Sequence, residues 1–185
     1  MYFSEAERLA ESLARGQHEL VYGGSKLGLM GHLADKTLEY GGRVTGVIPE
    51  YLDSRPGMAH AGLTEKIIVN NLMDRKREMI ARADVIVAFP GGIGTMDEVF
   101  EAMALKQLNE INHPVIFLNF LDFWRPLLDY FEELTAQNMI NQPLDQLFQV
   151  LDDSAKVRLF RQMATVENPH FSLDWLDGEK IRPYI

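Results

Sequence analysis

The sequence predicts a doubly wound α/β domain built on a parallel sheet. Strand and helix patterns alternate along most of the 185 residues. The strongest strand patterns, Val85-Ile86-Val87-Ala88-Phe89 and Val115-Ile116-Phe117-Leu118, are unbroken apolar runs rather than period-two alternations. That is the pattern of strands buried on both faces by crossover helices. Glycine clusters follow two of the strands, at Gly23-Gly24 and Gly91-Gly92, where an open parallel sheet binds its ligands.

The elements follow in order. Ala6, Leu9, Ala10 and Leu13 recur at helical spacing, with Ser4 as the expected N-cap and Gly16 as a stop. Glu19-Leu20-Val21-Tyr22 reads as a strand running into glycine, and residues 28–40 read as a helix closed by Gly41-Gly42. A strand over 43–48 ends at Pro49, and 50–63 reads as loop. Strand 65–69, helix 72–83, strand 84–89, helix 95–108, strand 114–119 and helix 123–137 complete the alternation. The expected organisation is a Rossmann-like α/β domain over 1–150, with a C-terminal helix and tail over 151–185 packed on it. The tail carries Phe171, Trp175 and Tyr184.

Composition narrows the function. Eighteen Lys and Arg against twenty-seven Asp and Glu give a formal charge of -9, and Arg75-Lys76-Arg77 is the only tight basic cluster. Duplex nucleic acid needs many cations on one face, so it is not an expected partner. The absence of Cys excludes disulfides, thiolate zinc sites and a Cys nucleophile. No apolar run approaches the length of a membrane span, and the N-terminus is not a signal peptide, so a cytoplasmic protein is expected. No cofactor and no metal are expected either.

The sharper of the two glycine clusters is Pro90-Gly91-Gly92-Ile93-Gly94-Thr95-Met96-Asp97-Glu98. Glycines let the backbone approach a ligand closely, and the helix that follows aims free N–H groups and its positive dipole end at the same place. The chemistry is that of an anion cradle. Thr95-x-x-Glu98 is also the pattern of a capping box, in which both side chains serve the helix's own amides. The residues alone leave both readings open. The second cluster, Gly23-Gly24-Ser25-Lys26-Leu27-Gly28, is not a Walker A loop, because Leu29 and Met30 stand where Lys and Ser/Thr are required. Asp97 takes the place of the third glycine of a dinucleotide fingerprint.

Met73-Asp74-Arg75-Lys76, followed after one strand by Pro90-Gly91-Gly92-x-Gly94-Thr95-x-x-Glu98, resembles the LOG ("lonely guy") family. The likeness continues through Val21-Tyr22-Gly23-Gly24, Gly28-Leu29-Met30-Gly31, Gly46-Val47-Ile48-Pro49 and Gly62-Leu63-Thr64-Glu65, and covers residues 2–139. Members are cytokinin riboside 5'-monophosphate phosphoribohydrolases, historically mislabelled lysine decarboxylases. The resemblance implies a Rossmann-like fold and hydrolysis of the N-glycosidic bond of an adenine-type nucleoside 5'-monophosphate. It places the catalytic pair on Arg75 and Glu98 and the phosphate loop on Gly91, Gly92, Gly94 and Thr95. Further substrate contacts are expected at Gly24, Ser25 and Lys76. It also implies a homodimer or higher homo-oligomer, with the apolar residues 103–105 as candidate contributors to the interface. The rival reading is a non-catalytic nucleotide-binding or carrier protein of the same fold. A decarboxylase would need a Schiff-base lysine, and Lys26, Lys36, Lys66, Lys76 and Lys106 are the lysines available in that part of the chain.

One departure bears on the fold. The family's opening strand, which lies in the middle of the sheet, is missing from this sequence. Its neighbours are then left without partners unless a strand lies upstream or another segment of the chain fills the slot.

Overall fold

A computed structural model describes residues 1–152 and 182–184. The helix and the aromatics Phe171 and Trp175 expected in the C-terminal part lie outside these residues.

The elements run α1 (Tyr2–Arg15), β1 (Glu19–Tyr22), α2 (Gly28–Glu39), β2 (Arg43–Pro49), α3 (Glu50–Asp53), β3 (Glu65–Val69) and α4 (Leu72–Arg82). Then come β4 (Val85–Ala88), α5 (Ile93–Gln107), β5 (Val115–Leu118), α6 (Arg125–Ala136), α7 (Leu144–Leu147), β6 (Gln149–Leu151) and β7 (Pro183–Tyr184). The strands form one sheet in the order β3-β2-β1-β7-β4-β5-β6. Every described pairing between them is parallel. This is the doubly wound arrangement that the apolar runs predict.

The period of two along each strand distributes the core over both faces. Leu20, Tyr22, Val85 and Val87 join Leu9, Leu13 and Leu33 under α1 and α2. Val21, Ile86 and Ala88 join Met79, Val99, Phe117, Trp124 and Phe131 under α4, α5 and α6. Trp124, 1% exposed, donates its indole N–H to Ala88 O at 3.2 Å and pins the end of β4. That end leads directly into the Gly91-Gly92 cluster.

Three local expectations need correction. The first helix begins at Tyr2 with Met1 as its N-cap, so Ser4 lies inside it. Residues 50–53 form a short helix within the stretch read as loop. α5 begins at Ile93, capped by Gly92 with no side-chain hydrogen bond, two residues before the expected start. Thr95 therefore sits within the first turn, and Thr95-x-x-Glu98 is not a capping box.

The position between β1 and β4 in the sheet is filled from the other end of the sequence. Tyr184 pairs with Val21 of β1 and with Ile86 of β4, and Pro183 pairs with Val85. The entry to β7 is clamped by Asp84. Its N–H donates to Arg182 O at 2.7 Å, and its Oδ2 accepts the Arg182 N–H at 2.7 Å and Nε at 3.3 Å. Asp84→Ala removes these acceptors, and hydrogen bonds to a charged group contribute about 1.5–3 kcal/mol. We expect the melting temperature to fall by roughly 3–8 °C in a thermal scan of the full chain. An unchanged melt means that the Asp84 side-chain clamp contributes nothing to stability.

Candidate active site

Arg75 is the first side chain to be placed. α4 starts with Asn71, whose Oδ1 accepts the Asp74 N–H at 2.8 Å, while Asp74 Oδ2 accepts from the side-chain amides of Asn70 and Asn71. This cap fixes the first turn and sends Arg75 back across the carboxyl ends of β1 and β2. Its Nε donates to Val47 O at 3.2 Å. The guanidinium lies against Gly23, where an added Cβ would fall 1.4 Å from Nη2. Gly23 is glycine because the arginine occupies its side-chain space.

Glu98 is one turn into α5. Its Oε1 lies 3.5 Å from Arg75 Nη1, and the two side chains are 17% and 13% exposed. Both open onto a cavity of about 380 Å³, of the size that holds a small organic ligand. The walls are Gly91, Gly92, Gly94 and Thr95 on one side and residues 27–30 with Leu33 on the other. Phe89 and Pro90 complete the lining.

The glycines of this loop have separate reasons. A Cβ on Gly91 would fall 2.1 Å from Thr95 Oγ1, so packing excludes it. Gly92 and Gly94 have nothing within 4 Å of the position a Cβ would take. Their missing side chains leave room for a ligand above the start of α5. The first intrahelical bond there runs from the Met96 N–H to Gly92 O, so the amides of residues 93–95 precede the helical ladder. Tyr22, 1% exposed, stands at the end of β1, and burial pushes its hydroxyl well above the ordinary phenol range. The Asp35 carboxylate adds to that rise and Arg75 opposes it.

Of the residues singled out in the sequence, Arg75, Glu98, Gly91, Gly92, Gly94 and Thr95 line one cavity. Gly24, Ser25 and Lys76 do not. Gly24 adopts φ +72° and lies against Ile48, and Ser25 Oγ accepts the Leu27 N–H at 3.1 Å, so both shape the loop before α2. Lys76 turns to α5, where it pairs with Asp97 at 3.0 Å and with Glu101. Those carboxylates outweigh its partial burial and keep its pKa above the usual lysine value. The wall formed by the start of α2 was not assigned to the site from sequence. Its signal was Gly28-x-x-Gly31, in which a Cβ on Gly31 would fall 1.9 Å from Lys26 O.

The fold and the cavity define a Rossmann-like α/β protein whose glycine-lined cavity faces an Arg–Glu pair. The family model described as "Possible lysine decarboxylase" matches residues 30–162. A cytokinin riboside 5'-monophosphate phosphoribohydrolase from Rhodococcoides fascians is 42% identical over 139 residues, which are 75% of this chain and 70% of that protein. One of the same name from Arabidopsis thaliana is 34% identical over 171 residues, covering 92% of this chain and 76% of the relative. Among solved structures, the molybdenum cofactor carrier protein from Chlamydomonas reinhardtii superposes with a TM-score of 0.63 at 23% identity. That match covers 88% of this chain and 86% of the other, and at this identity it speaks to the fold alone. The chain belongs to the family of that model, the LOG family, whose named relatives are phosphoribohydrolases.

The description of that family model invites the decarboxylase reading, which needs a lysine at the site. None of Lys26, Lys36, Lys66, Lys76 and Lys106 lines the cavity. Lys106 is buried, which lowers its pKa to about 8, but its Nζ donates to His113 O at 2.9 Å, away from the cavity lining.

Proposed function

We propose that this chain hydrolyses the N-glycosidic bond of adenine-type (cytokinin riboside) 5'-monophosphates, releasing the free base and ribose 5-phosphate. The observation that carries the reading is the Arg75–Glu98 pair opening onto the same cavity as the Gly91–Thr95 loop. The names of the relatives supply the bond to be broken.

In this reading the 5'-phosphate sits over Gly92 and Gly94, on the amides that begin α5 and at the positive end of its dipole. That contact holds the ribose, so that binding energy from a non-reacting group orients the reacting one. Cleavage of the C1'–N bond leaves positive charge on the sugar ring, as in glycoside hydrolysis. Glu98 stabilises that charge and orients the attacking water. Arg75, always protonated, donates hydrogen bonds to the departing base as negative charge builds on it. The resting ion pair keeps both groups poised, and a substrate entering between them takes over their interactions.

The expected consequence is phosphate dependence. AMP and an N6-isopentenyl nucleotide should be cleaved, and the corresponding nucleosides about 10²-fold or more slowly in kcat/KM. Chromatographic detection of free base tests this. Comparable rates on adenosine and AMP remove the phosphate cradle from the account.

The proposal extends to a homo-oligomer. Exposed apolar side chains support it: Met73, Ile93, Leu72 and Phe100 are 70, 81, 44 and 40% exposed, on the helices that carry Arg75 and Glu98. Met103, expected to contribute to such an interface, is instead 7% exposed and packs in this chain's own core.

A further inference from the structure

The start of α2 forms one wall of the cavity, so the seating of that helix sets the cavity's width. α1 holds α2 along one side. A second hold comes from His60, a residue that is 8% exposed and lies outside the cavity lining.

His60 ties three segments together. Its main-chain N–H donates to Gly24 O at 3.0 Å, in the loop after β1. Its Nδ1 accepts the Gly62 N–H at 3.0 Å. Its Nε2 lies 2.8 Å from Asp35 Oδ1, two turns into α2. A nitrogen that accepts from an amide carries no proton, so the ring proton sits on Nε2 and is donated to Asp35. Beside it the Lys26 N–H donates to Met58 O at 2.9 Å, and Ser25 pairs antiparallel with Ala59. Residues 58–62 are thus laced to the loop that leads into α2, and the imidazole carries the lacing to the body of the helix.

Asp35 shows what the contact is for. Its side chain is 65% exposed, and pairs that involve so exposed a carboxylate contribute little to folding. What the pair fixes is geometry. We infer that His60 and Asp35 are positioning residues, which clamp α2 to the Gly24 loop and so set the distance between the apolar wall at residues 27–33 and the Arg75–Glu98 pair. The inference rests on the cavity being the substrate site.

The test uses the full-length chain with His60→Ala, Asp35→Ala and His60→Gln, since a Gln amide reaches the position of Nε2 and keeps a donor for Asp35. Two readouts are taken: kcat and KM for AMP, and hydrogen exchange of the peptide spanning residues 28–35. We expect His60→Ala to raise KM about tenfold and Asp35→Ala about threefold, with kcat within about threefold of the parent. Exchange in the peptide should quicken in both, and His60→Gln should restore KM and protection. Unchanged KM and unchanged exchange in both alanine variants overturn the inference, and so does a Gln variant no better than Ala. If the parent chain releases no base from AMP, the hydrolase reading fails by itself and exchange alone decides the clamp.

Discussion

Glu98→Gln is expected to lower the rate of base release by about 10²–10³ while leaving the fold intact. Gln keeps the length and one acceptor of the carboxylate, but not the charge that, in the proposed reaction, faces the sugar as its glycosidic bond breaks. A structural role for Glu98 in capping α5 is not available as an explanation, because Gly92 caps that helix and Thr95 lies inside it. One cost of the change is a weakened contact to Arg75, whose Nε bond to Val47 O persists. Turnover and melting temperature measured on one sample separate the effects. Lost turnover with a melt shifted by no more than a few degrees supports catalysis. Retained turnover means that Glu98 does not act on the sugar.

The second large effect is expected at Gly23. An alanine there places its Cβ 1.4 Å from Arg75 Nη2 and 2.5 Å from Cζ, so the guanidinium must swing away. The clash is with the far end of a flexible side chain, which makes the displacement inexpensive for folding. It is costly for the site, because the bond to Val47 O and the pairing with Glu98 both depend on the guanidinium's present place. We expect Gly23→Ala to lose about 10²-fold in kcat/KM with a melt within a few degrees of the parent. Arg75→Ala should lose a similar amount. The double variant should be little worse than either single one, because both act through one side chain. Additive losses in the double variant would show that Gly23 matters for another reason.

The sheet and most of its helices were legible because buried parallel strands leave an unambiguous trace. Val85–Phe89 and Val115–Leu118 are apolar throughout, and glycines or prolines mark their ends. β7 left no such trace: Pro183–Tyr184 is too short for any periodicity, and its partners at Val21 and Val85–Ile86 are remote in sequence. The start of α5 was misread because a glycine cap acts through its backbone alone, while Thr95 and Glu98 offered a familiar side-chain pattern. Arg75 and Glu98 were identifiable from the motif, yet neither Gly23's reason nor the part of α2 in the wall was. Both depend on what lies across the cavity. Lys76 shows the opposite case. Adjacent to Arg75 in sequence, it is turned about 100° around the helix, and so meets Asp97 and Glu101 instead of the cavity.

The central claim is that the Arg75–Glu98 cavity breaks a ribosyl–base bond in a nucleotide. The most direct measurement incubates the full chain with AMP and with an N6-isopentenyl nucleotide and follows base and ribose 5-phosphate together by mass spectrometry. The account predicts equimolar release of both products from at least one nucleotide, and release reduced at least about 10²-fold with Glu98→Gln. Saturable nucleotide binding with no base released would contradict it, and would identify the chain as a nucleotide carrier built on the same fold.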